Sequence, residues 1–316
     1  MLASGQLRVD LEPGHDGDFV YLPVNDGELE GGLEACEHEF KQRRVAPGNY
    51  RKLVDVPAPL RAMLPRAFDV IGRVIIIKVP DELMQYRQRI GRALLEARPE
   101  ALSVAQDHGV KGEDRVRELE VIAGPSDLET VHAEHGLRFR LDPSKVYFSP
   151  RLATERLRVA GLVGNGEAVL DMFAGVGPFS IHIAKRARPS VVHASDINPA
   201  AIGYLEQNIA LNKVSGVKPI LGDAAGLPGL VPPVDRIIMN LPHSAFGFLP
   251  TALRLLRPGG TIHLYDILEP DEKASRKQKI ERVVEDDGRK LARSGCRLVR
   301  GYSALESHFV FDLTVA

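Results

Sequence analysis

From about residue 150 to the C-terminus, short apolar runs alternate with segments whose apolar residues recur at helical spacing. Runs of the first kind predict buried strands, and the segments between them predict amphipathic helices. The predicted strands are 168–171, 191–196, 217–221, 236–239 and 261–266, and the predicted helices are 151–162, 179–187, 199–212 and 246–256. Strands that alternate with helices in this way imply a parallel sheet covered by helices on both faces.

The C-terminal segment changes this rhythm. A long polar helix is predicted over 271–293, followed by two strands, 297–301 and 309–315, which are close enough in sequence to pair antiparallel. A parallel sheet that ends in an antiparallel hairpin is typical of AdoMet-dependent methyltransferases, whereas a dinucleotide-binding fold more often continues in parallel. We therefore predict an α/β chain with a class I (Rossmann-like) methyltransferase domain.

In the first half of the chain, predicted strands and helices alternate less regularly. Strands are predicted at 19–24, 68–79, 116–123 and 137–147, and a helix from 81 to about 96, while prolines interrupt the stretch from 45 to 65. We predict a short N-terminal region (1–45), a linker (46–65), a smaller α/β middle region (66–149) and the catalytic domain (150–316).

Composition narrows the class of protein. The chain has 316 residues, of which 44% are hydrophobic and 26% charged, so wholesale disorder is excluded. It offers neither an apolar run of membrane-spanning length nor a secretory signal, and Cys36 and Cys296 cannot build a disulfide framework. These features predict a cytoplasmic protein. The formal net charge of −1 gives no global reason to expect nucleic acid, so the local distribution of charge must decide.

The strongest local signal is VLDMFAGVGPF at 169–179. A buried strand ends at the carboxylate of Asp171, and a glycine-rich turn then opens a helix, so that the backbone can approach a ligand beyond the strand end. The spacing is not the Gly-x-Gly-x-x-Gly of dinucleotide sites. A carboxylate before the glycines would repel a pyrophosphate but can accept a hydrogen bond from the ammonium of a methionine moiety, which favours AdoMet over NAD.

Two further strand ends carry acids. Asp196 is placed to hold ribose hydroxyls, and Asp223 to accept from an adenine amino group. One such Asp alone is more simply a solvated loop residue or a helix cap, but three at successive strand ends indicate a cofactor site. The predicted cofactor residues are Asp171, Phe173, Ala174, Gly175, Gly177, Asp196, Ile197, Asp223, Ala224 and Asn240.

Two more segments suggest where the substrate binds. Asn240-Leu241-Pro242 resembles the Asn-Pro-Pro-aromatic motif of methyltransferases that act on nitrogen, although Asn and Pro equally favour an ordinary turn. Basic and aromatic residues interleave between 136 and 160, which predicts an RNA-binding face, with a solvated helix face as the alternative. The candidate RNA-binding residues are Arg138, Lys145, Arg151 and Arg156.

Several motifs, taken in order, resemble one family. They are FDVIG (68–72), RVRELE (115–120), VYFSPRL (146–152), TER (154–156), DMFAGVGPFS (171–180), DINP (196–199) and NLP (240–242). Together they resemble the archaeal and eukaryotic tRNA (guanine-37 N1)-methyltransferase family, from about residue 66 to the C-terminus. The resemblance implies methyl transfer from AdoMet to N1 of the guanine 3′ of the anticodon of tRNA. It also implies a monomer that needs Mg²⁺ for full activity, although no protein metal site is evident in the sequence.

The resemblance also assigns roles to residues. It implies Glu155 as the general base, Arg115 as the group that stabilises charge on the target base, Asn240 with Pro242 as a clamp for guanine, and Tyr147 near the reacting atoms. Since N1 of guanine carries a proton at neutral pH, a positioned carboxylate would accelerate its methylation by about 10²–10⁴-fold. A guanidinium near O6 would contribute about 3 kcal/mol.

Without the resemblance, Glu155 would be interpreted as a surface ion pair with Arg151 or Arg158, worth about 1 kcal/mol at most. Arg115 would be interpreted as an ordinary surface charge.

One departure concerns the N-terminus. Members of the family usually begin with a longer N-terminal domain that reads the tRNA elbow, and here about 45 residues precede the linker, so this tRNA-binding domain is expected to be shortened. Relatives of this kind include bifunctional enzymes that also methylate C7 of a wyosine precursor, and that activity stays open.

Three other functions are alternatives to methyl transfer to N1. They are aminocarboxypropyl transfer on the same nucleotide, RNA binding without catalysis, and oxidoreduction with a nicotinamide cofactor. The intact motifs at 154–156 and 240–242 argue against aminocarboxypropyl transfer, and intact Asp171, Asp196 and Glu155 argue against a catalytically silent protein.

Overall fold

The structure, a computed structural model, describes residues 7–8, 10–16, 19–25, 34–41, 48–111, 116–303 and 305–316. These residues form a seven-stranded sheet, a four-stranded sheet and two separate two-stranded sheets. The strands are β1 (Gly14–Asp16), β2 (Phe19–Tyr21), β3 (Asp69–Ile71), β4 (Val74–Ile77), β5 (Ser103–Lys111), β6 (Val116–Ala123), β7 (Thr130–Glu134), β8 (Leu137–Leu141), β9 (Ala168–Asp171), β10 (Val191–Asp196), β11 (Val217–Leu221), β12 (Val234–Met239), β13 (Leu256–Leu268), β14 (Leu291–Gly301) and β15 (Ser307–Val315). The α-helices are α1 (Ala58–Arg61), α2 (Arg87–Ala97), α3 (Ala153–Leu162), α4 (Pro178–Arg186), α5 (Pro199–Asn212), α6 (Leu249–Leu255) and α7 (Lys273–Asp286). The 3₁₀ helices are Tyr50–Lys52, Asp81–Tyr86, Pro150–Leu152, Ala224–Gly226 and Ala245–Phe248.

The larger sheet has the strand order β11-β10-β9-β12-β13-β15-β14. Its strands are parallel from β11 to β13, while β15 pairs antiparallel with both β13 and β14. This confirms the prediction of a parallel sheet that ends in an antiparallel hairpin. The carboxyl ends of β9, β10, β11 and β12 therefore meet along one edge of the sheet, where ligands of such folds bind.

Alternation along the strands explains why both faces of this sheet are covered. Leu170 and Ile237 belong to one apolar cluster, and their chain neighbours Val169 and Ile238 belong to another on the opposite face. Successive side chains of a strand point to opposite faces, so continuous apolar runs bury both. Helices α4 and α5 begin within one residue of the predicted positions, whereas α3 and α6 begin two or three residues later, after short 3₁₀ helices. Asn198 caps α5 by accepting from the Ala200 amide at 2.9 Å, and Pro199 occupies its first turn.

The smaller sheet has the order β3-β4-β5-β6, in which only β4 and β5 run parallel. It packs against α2 through a third apolar cluster that includes Ile75, Ile77 and Leu94. The prediction of one strand over 68–79 is wrong, because Gly72 has a φ of +55° and turns the chain between β3 and β4. Strand β5 is absent from the predictions, since its polar residues hide the apolar pattern.

The predicted strand over 137–147 is also wrong in extent. Strand β8 ends at Leu141, and the Asp142 Oδ1 accepts from the Ser144 amide at 2.9 Å, so residues 142–149 form a loop. The β7–β8 hairpin is bonded to the larger sheet's helices: the Asn208 and Asn212 Oδ1 atoms of α5 accept from the Arg140 and Arg138 amides. The predicted domain boundaries remain predictions.

The strand predicted over 19–24 is present but shorter: β2 ends at Tyr21, and it pairs with β1. Among the described residues, no helix combines the length and apolar character that crossing a bilayer requires.

Candidate active site

A cleft of about 800 Å³ lies at the carboxyl edge of the larger sheet and is closed on the other side by the smaller sheet. Its walls include strand ends from the larger sheet and Asp69, Asp107 and Arg117 from the smaller one. The predicted site residues that line it are Tyr147, Arg151, Arg156, Phe173, Ala174, Gly175, Asp196, Ile197, Asp223, Ala224, Asn240 and Pro242. The fold thus brings most of the predicted site to one place.

The glycine-rich turn has the backbone conformation that its sequence predicts. Gly175 and Gly177 have φ values of +56° and +84°, in the region that favours glycine. The Asp196 Oδ2 accepts from the Gly175 amide at 2.7 Å and so ties the turn to the end of β10. Gly177 does not line the cleft; a Cβ there would lie 2.2 Å from Leu205 Cδ1, so this glycine permits close packing of the turn on α5.

Asp171 is fully buried behind the turn rather than in the cleft wall. Its Oδ2 accepts from the Ser180 hydroxyl at 2.8 Å, while its Oδ1 has no hydrogen-bond partner among the described residues. Burial raises the pKa of Asp171 to about 7. A carboxylate directly behind the glycine-rich turn places negative charge close to the cleft, which favours a cofactor that carries an ammonium group, as AdoMet does.

The next two strand ends supply the rest of the cofactor wall. Ile197 is a half-exposed apolar side chain beside Asp196, and Asp223 and Ala224 follow β11. This combination of an apolar surface and carboxylates fits the adenosine part of AdoMet. Asp223 also caps a helix, which is the alternative to the cofactor role, because its Oδ1 accepts from the Ala225 amide at 3.0 Å.

The wall beside the cofactor region is formed by the ends of three adjacent strands, β12, β13 and β15. Asn240 follows β12, and its Oδ1 is buried without a hydrogen-bond partner in the described part of the chain. His308 lies at the start of β15, is only 1% exposed, and has no such partner at either ring nitrogen within the same described ranges. Burial and the nearby Arg300 lower the pKa of His308 to about 4, so the ring is neutral at physiological pH. Sequence reasoning missed His308, because only the register of β15 on β13 brings it to the cleft.

Glu155 lies on α3, is 4% exposed and does not line the cleft. Its Oε1 accepts from the Tyr265 hydroxyl at 2.7 Å and from Arg158 Nη2 at 2.8 Å, and its Oε2 contacts Arg297. Burial alone would raise the pKa of Glu155, but the hydrogen bonds from Arg158 and Tyr265 outweigh it and hold the pKa below its ordinary value. The ion pair with Arg158, one of the two pairings that the sequence suggests, is therefore present, and the role as general base remains a prediction.

Arg156 is 2% exposed and supports the 147–149 segment from beneath. Its Nη1 donates to the Glu134 Oε2 at 2.5 Å, its Nη2 donates to the Ser149 carbonyl at 2.9 Å, and its guanidinium lies 4.7 Å from the Phe148 ring centre. The RNA-binding prediction requires a side chain that faces solvent, and Arg156 instead forms a buried ion pair.

The remaining basic candidates are exposed. Arg151 donates to the Asp69 Oδ1 at 2.6 Å, and the Asp69 Oδ2 accepts from Arg117 at 3.1 Å, so this cluster joins the start of α3 to the smaller sheet. Arg138 and Lys145 lie outside the cleft lining. Arg115 falls outside the described residues, so its role stays a prediction. Among the described residues, no group of His, Cys, Asp and Glu could hold a metal ion.

Comparison with known protein families identifies the family to which this chain belongs. A family model for the TRM5/TYW2 methyltransferase domain matches residues 130–292, and one for the TYW2 N-terminal domain matches residues 51–127. The chain belongs to the TRM5/TYW2 methyltransferase family. It is thus an enzyme of the AdoMet-dependent class I type, as its sheet order and glycine-rich turn indicate.

Among curated relatives of this TRM5/TYW2 enzyme, the Pyrococcus abyssi tRNA (guanine(37)-N(1))-methyltransferase Trm5b is 44% identical, over 100% of this chain and 94% of its own length. A Methanocaldococcus jannaschii tRNA(Phe) (4-demethylwyosine(37)-C(7)) aminocarboxypropyltransferase is 34% identical, over 78% of this chain and 96% of its own length.

Solved structures follow the same order of similarity, with Trm5 structures more similar to this chain than a TYW2 structure. The crystal structure of Pyrococcus abyssi Trm5b has a TM-score of 0.79 at 42% identity and covers 99% of this chain and 93% of its own. A complex of aTrm5 with tRNALeu has a TM-score of 0.75 at 33% identity, covering 98% and 93%. M. jannaschii TYW2 in complex with AdoMet has a TM-score of 0.63 at 28% identity, covering 79% and 99%.

Proposed function

We propose that this enzyme transfers a methyl group from AdoMet to N1 of guanine 37 in tRNA. The observation that carries the proposal is one cleft in which a glycine-rich cofactor turn adjoins a wall with two polar groups that lack hydrogen-bond partners among the described residues, Asn240 Oδ1 and the His308 ring. The 44% identity over the whole chain to a relative named for that reaction supports the substrate.

The cofactor residues act by position. Gly175 allows the backbone to approach AdoMet, Asp196 fixes the turn and faces the ribose, and Asp171 favours the methionine ammonium from behind the turn. Ile197 and Asp223 border the region that would hold the adenine. Bound AdoMet supplies an electrophilic methyl group, whose carbon–sulfur bond breaks as the nitrogen–carbon bond forms.

The base-binding residues must hold a planar ring that carries donors on one edge. The buried Asn240 Oδ1 can accept from the guanine amino group, since an amide oxygen has two acceptor sites. Pro242 and Tyr147 lie in the same wall and limit the ring's movement. Neutral His308 adds a donor and an acceptor close to the reacting edge.

Proton removal is assigned to Glu155. Its depressed pKa keeps it ionised at neutral pH, which a proton acceptor needs. Because the carboxylate is held by Arg158, Tyr265 and Arg297, the substrate complex must loosen one of these bonds before Glu155 reaches the base. Arg115, by resemblance, would stabilise the charge on O6.

The remaining parts of the proposal concern partners. Exposed Arg151, Arg138 and Lys145 are proposed tRNA contacts, and Arg151 would exchange its bond to Asp69 for a phosphate. A monomeric state, a cytoplasmic location and stimulation by Mg²⁺ belong to the same proposal. The second candidate function is wyosine-pathway chemistry on the same nucleotide. It is either aminocarboxypropyl transfer, the reaction in the name of a relative that is 34% identical, or the C7 methylation of a wyosine precursor that the family resemblance suggests.

Labelling either end of the donor separates these reactions. AdoMet carrying label in the methyl group and AdoMet carrying label in the methionine carboxyl group are each incubated with the enzyme and with either unmodified tRNA transcript or tRNA that carries 4-demethylwyosine at position 37. Incorporation of the methyl label into the unmodified transcript, without incorporation of the carboxyl label into either tRNA, supports the proposal. Incorporation of the carboxyl label into the 4-demethylwyosine tRNA, without methylation of the transcript, would establish aminocarboxypropyl transfer and contradict it.

A further inference from the structure

A second concave site lies beside the catalytic cleft, between the segment that precedes β3 and the end of α2. It has a volume of about 340 Å³, and Tyr50, Arg51, Arg66, Phe68 and Arg98 contribute to its lining. We call it the arginine pocket. The cofactor and base sites proposed above do not include this pocket.

Positive charge dominates this pocket. Three arginines contribute to its lining, Arg51, Arg66 and Arg98, and none of the described residues in its lining carries a carboxylate. Arg98 Nη1 forms an ion pair with Glu100 Oε1 at 3.8 Å, but both side chains are about half exposed, so this pair is weak and leaves the guanidinium available to a second anion. Arg51 Nε is buried and finds no hydrogen-bond partner in the described ranges. Like charges that share a concave site repel one another, so an anion would relieve this repulsion.

The pocket is held rigid by local contacts. The Tyr50 hydroxyl donates to the Pro65 carbonyl and fixes the segment that carries Arg66. Asn49 caps the 3₁₀ helix Tyr50–Lys52 by accepting from the Arg51 amide at 3.1 Å. The Arg98 guanidinium lies 5.9 Å from the Phe68 ring centre. Because these backbones are already fixed, a ligand would not have to order them.

The pocket adjoins the catalytic cleft. Phe68 lines both sites, and the next residue, Asp69, lines the cleft and binds Arg151. A nucleic-acid strand whose target base occupies the cleft must continue past one of its rims, and at this rim it would meet the three arginines.

We propose that the arginine pocket binds a backbone phosphate of the RNA strand that carries the target nucleotide. The planar guanidinium fork matches two phosphate oxygens and retains its charge at any physiological pH, which suits a phosphodiester better than any neutral ligand. Contacts to phosphate position a nucleic acid without reading its sequence. The pocket therefore sets how the strand enters the cleft. This inference rests on the proposed action on tRNA.

The test compares Arg66→Gln and Arg98→Gln with Arg92→Gln, an exposed arginine on α2 that does not line the pocket. The dissociation constant of unmodified tRNA transcript is measured by filter binding at several salt concentrations, and single-turnover methyl transfer is measured at saturating tRNA. Each pocket variant should weaken binding by about 5–10-fold at low salt and lower the slope of log K against log salt by about 1. The rate at saturating tRNA should stay within about twofold of the unmodified enzyme, because no catalytic group changes.

Pocket variants that bind tRNA as Arg92→Gln does would overturn the proposal. A thermal-shift titration with inorganic phosphate covers a free anion as the occupant: stabilisation that both pocket variants abolish, with tRNA affinity unchanged, would assign the site to that anion instead. Binding of tRNA by the unmodified enzyme without any methyl transfer would count against the proposed function alone, since the affinity measurement does not need the reaction.

Discussion

Polar atoms without hydrogen-bond partners mark the groups around the cleft that a ligand would satisfy. Among the residues that the structure describes, Asp171 Oδ1, Asn240 Oδ1 and both ring nitrogens of His308 are buried and lack such partners. Most buried polar groups in proteins are hydrogen-bonded, and an unsatisfied one costs about 1–3 kcal/mol of stability. Asn240 and His308 line the cleft at two strand ends, and Asp171 lies directly behind its glycine-rich turn. These residues are the main residue-level support for the proposal that the cleft binds both cofactor and base.

The pH dependence of AdoMet binding should reveal Asp171. Burial raises its pKa to about 7, so below that pH the carboxyl group is neutral in the free enzyme and pairs poorly with an ammonium group. AdoMet favours the charged form, so its affinity should rise with pH between 6 and 8, by up to about tenfold per pH unit on the acid side of 7. Calorimetric titration measures this directly.

Asp171→Asn should remove that pH dependence, whereas the matched variant Asp223→Asn, on an exposed carboxyl group, should preserve it. An unmodified enzyme that binds AdoMet equally at pH 6 and pH 8 would show that Asp171 does not act on the cofactor.

Glu155→Gln tests the general base. The amide keeps the size of the side chain and its acceptor for Tyr265, but cannot take the N1 proton, so the single-turnover rate should fall by about 10²–10⁴-fold with AdoMet and tRNA affinities unchanged. Rapid quench with labelled AdoMet gives the rate.

Asp312→Asn is the matched control for Glu155→Gln. Asp312 accepts from the same Arg158, at 2.9 Å, and also pairs with His263, but the base role is not assigned to it. An equal loss of rate in both variants would show that Glu155 acts only as a partner in the ion-pair network.

At the scale of single elements, sequence patterns predicted the strands and helices around the glycine-rich turn closely and failed where the chain bends. Between β3 and β4 the turn depends on one glycine in an apolar run, and after β8 it depends on Asp142, and apolar periodicity detects neither. Apolar periodicity also fails to predict the conformation of the 147–149 segment. Arg156 holds this segment by donating to the Ser149 carbonyl, and Arg156 is itself held by Glu134, a residue distant in sequence.

Breaking that support should destabilise the fold. Arg156→Ala leaves Glu134 buried without its guanidinium partner, and removal of one member of a buried ion pair typically costs about 3–5 kcal/mol. Arg151→Ala removes a half-exposed arginine and should cost about 1 kcal/mol or less. Urea unfolding followed by circular dichroism measures both. Similar losses for the two variants would contradict a structural role for the buried pair.

At the scale of the whole molecule, the alternation of strands and helices was enough to predict the larger sheet, its antiparallel end and the edge that carries the cofactor residues. The sequence could not reveal contacts that join distant segments. His308 reaches the cleft only through pairing of β15 with β13, and Glu155 meets Tyr265 and Arg297 only in the assembled sheet. The arginine pocket likewise unites residues from the 48–68 segment and the end of α2.

The central claim is methylation of N1 of guanine 37, and one measurement tests it most directly. Two unmodified tRNA transcripts that differ only in guanine or adenine at position 37 are incubated with the enzyme and AdoMet, and their nucleosides are then analysed by mass spectrometry. The account predicts 1-methylguanosine from the guanine transcript and no methylated nucleoside from the adenine transcript. Methylation of both transcripts, or of neither, would contradict it.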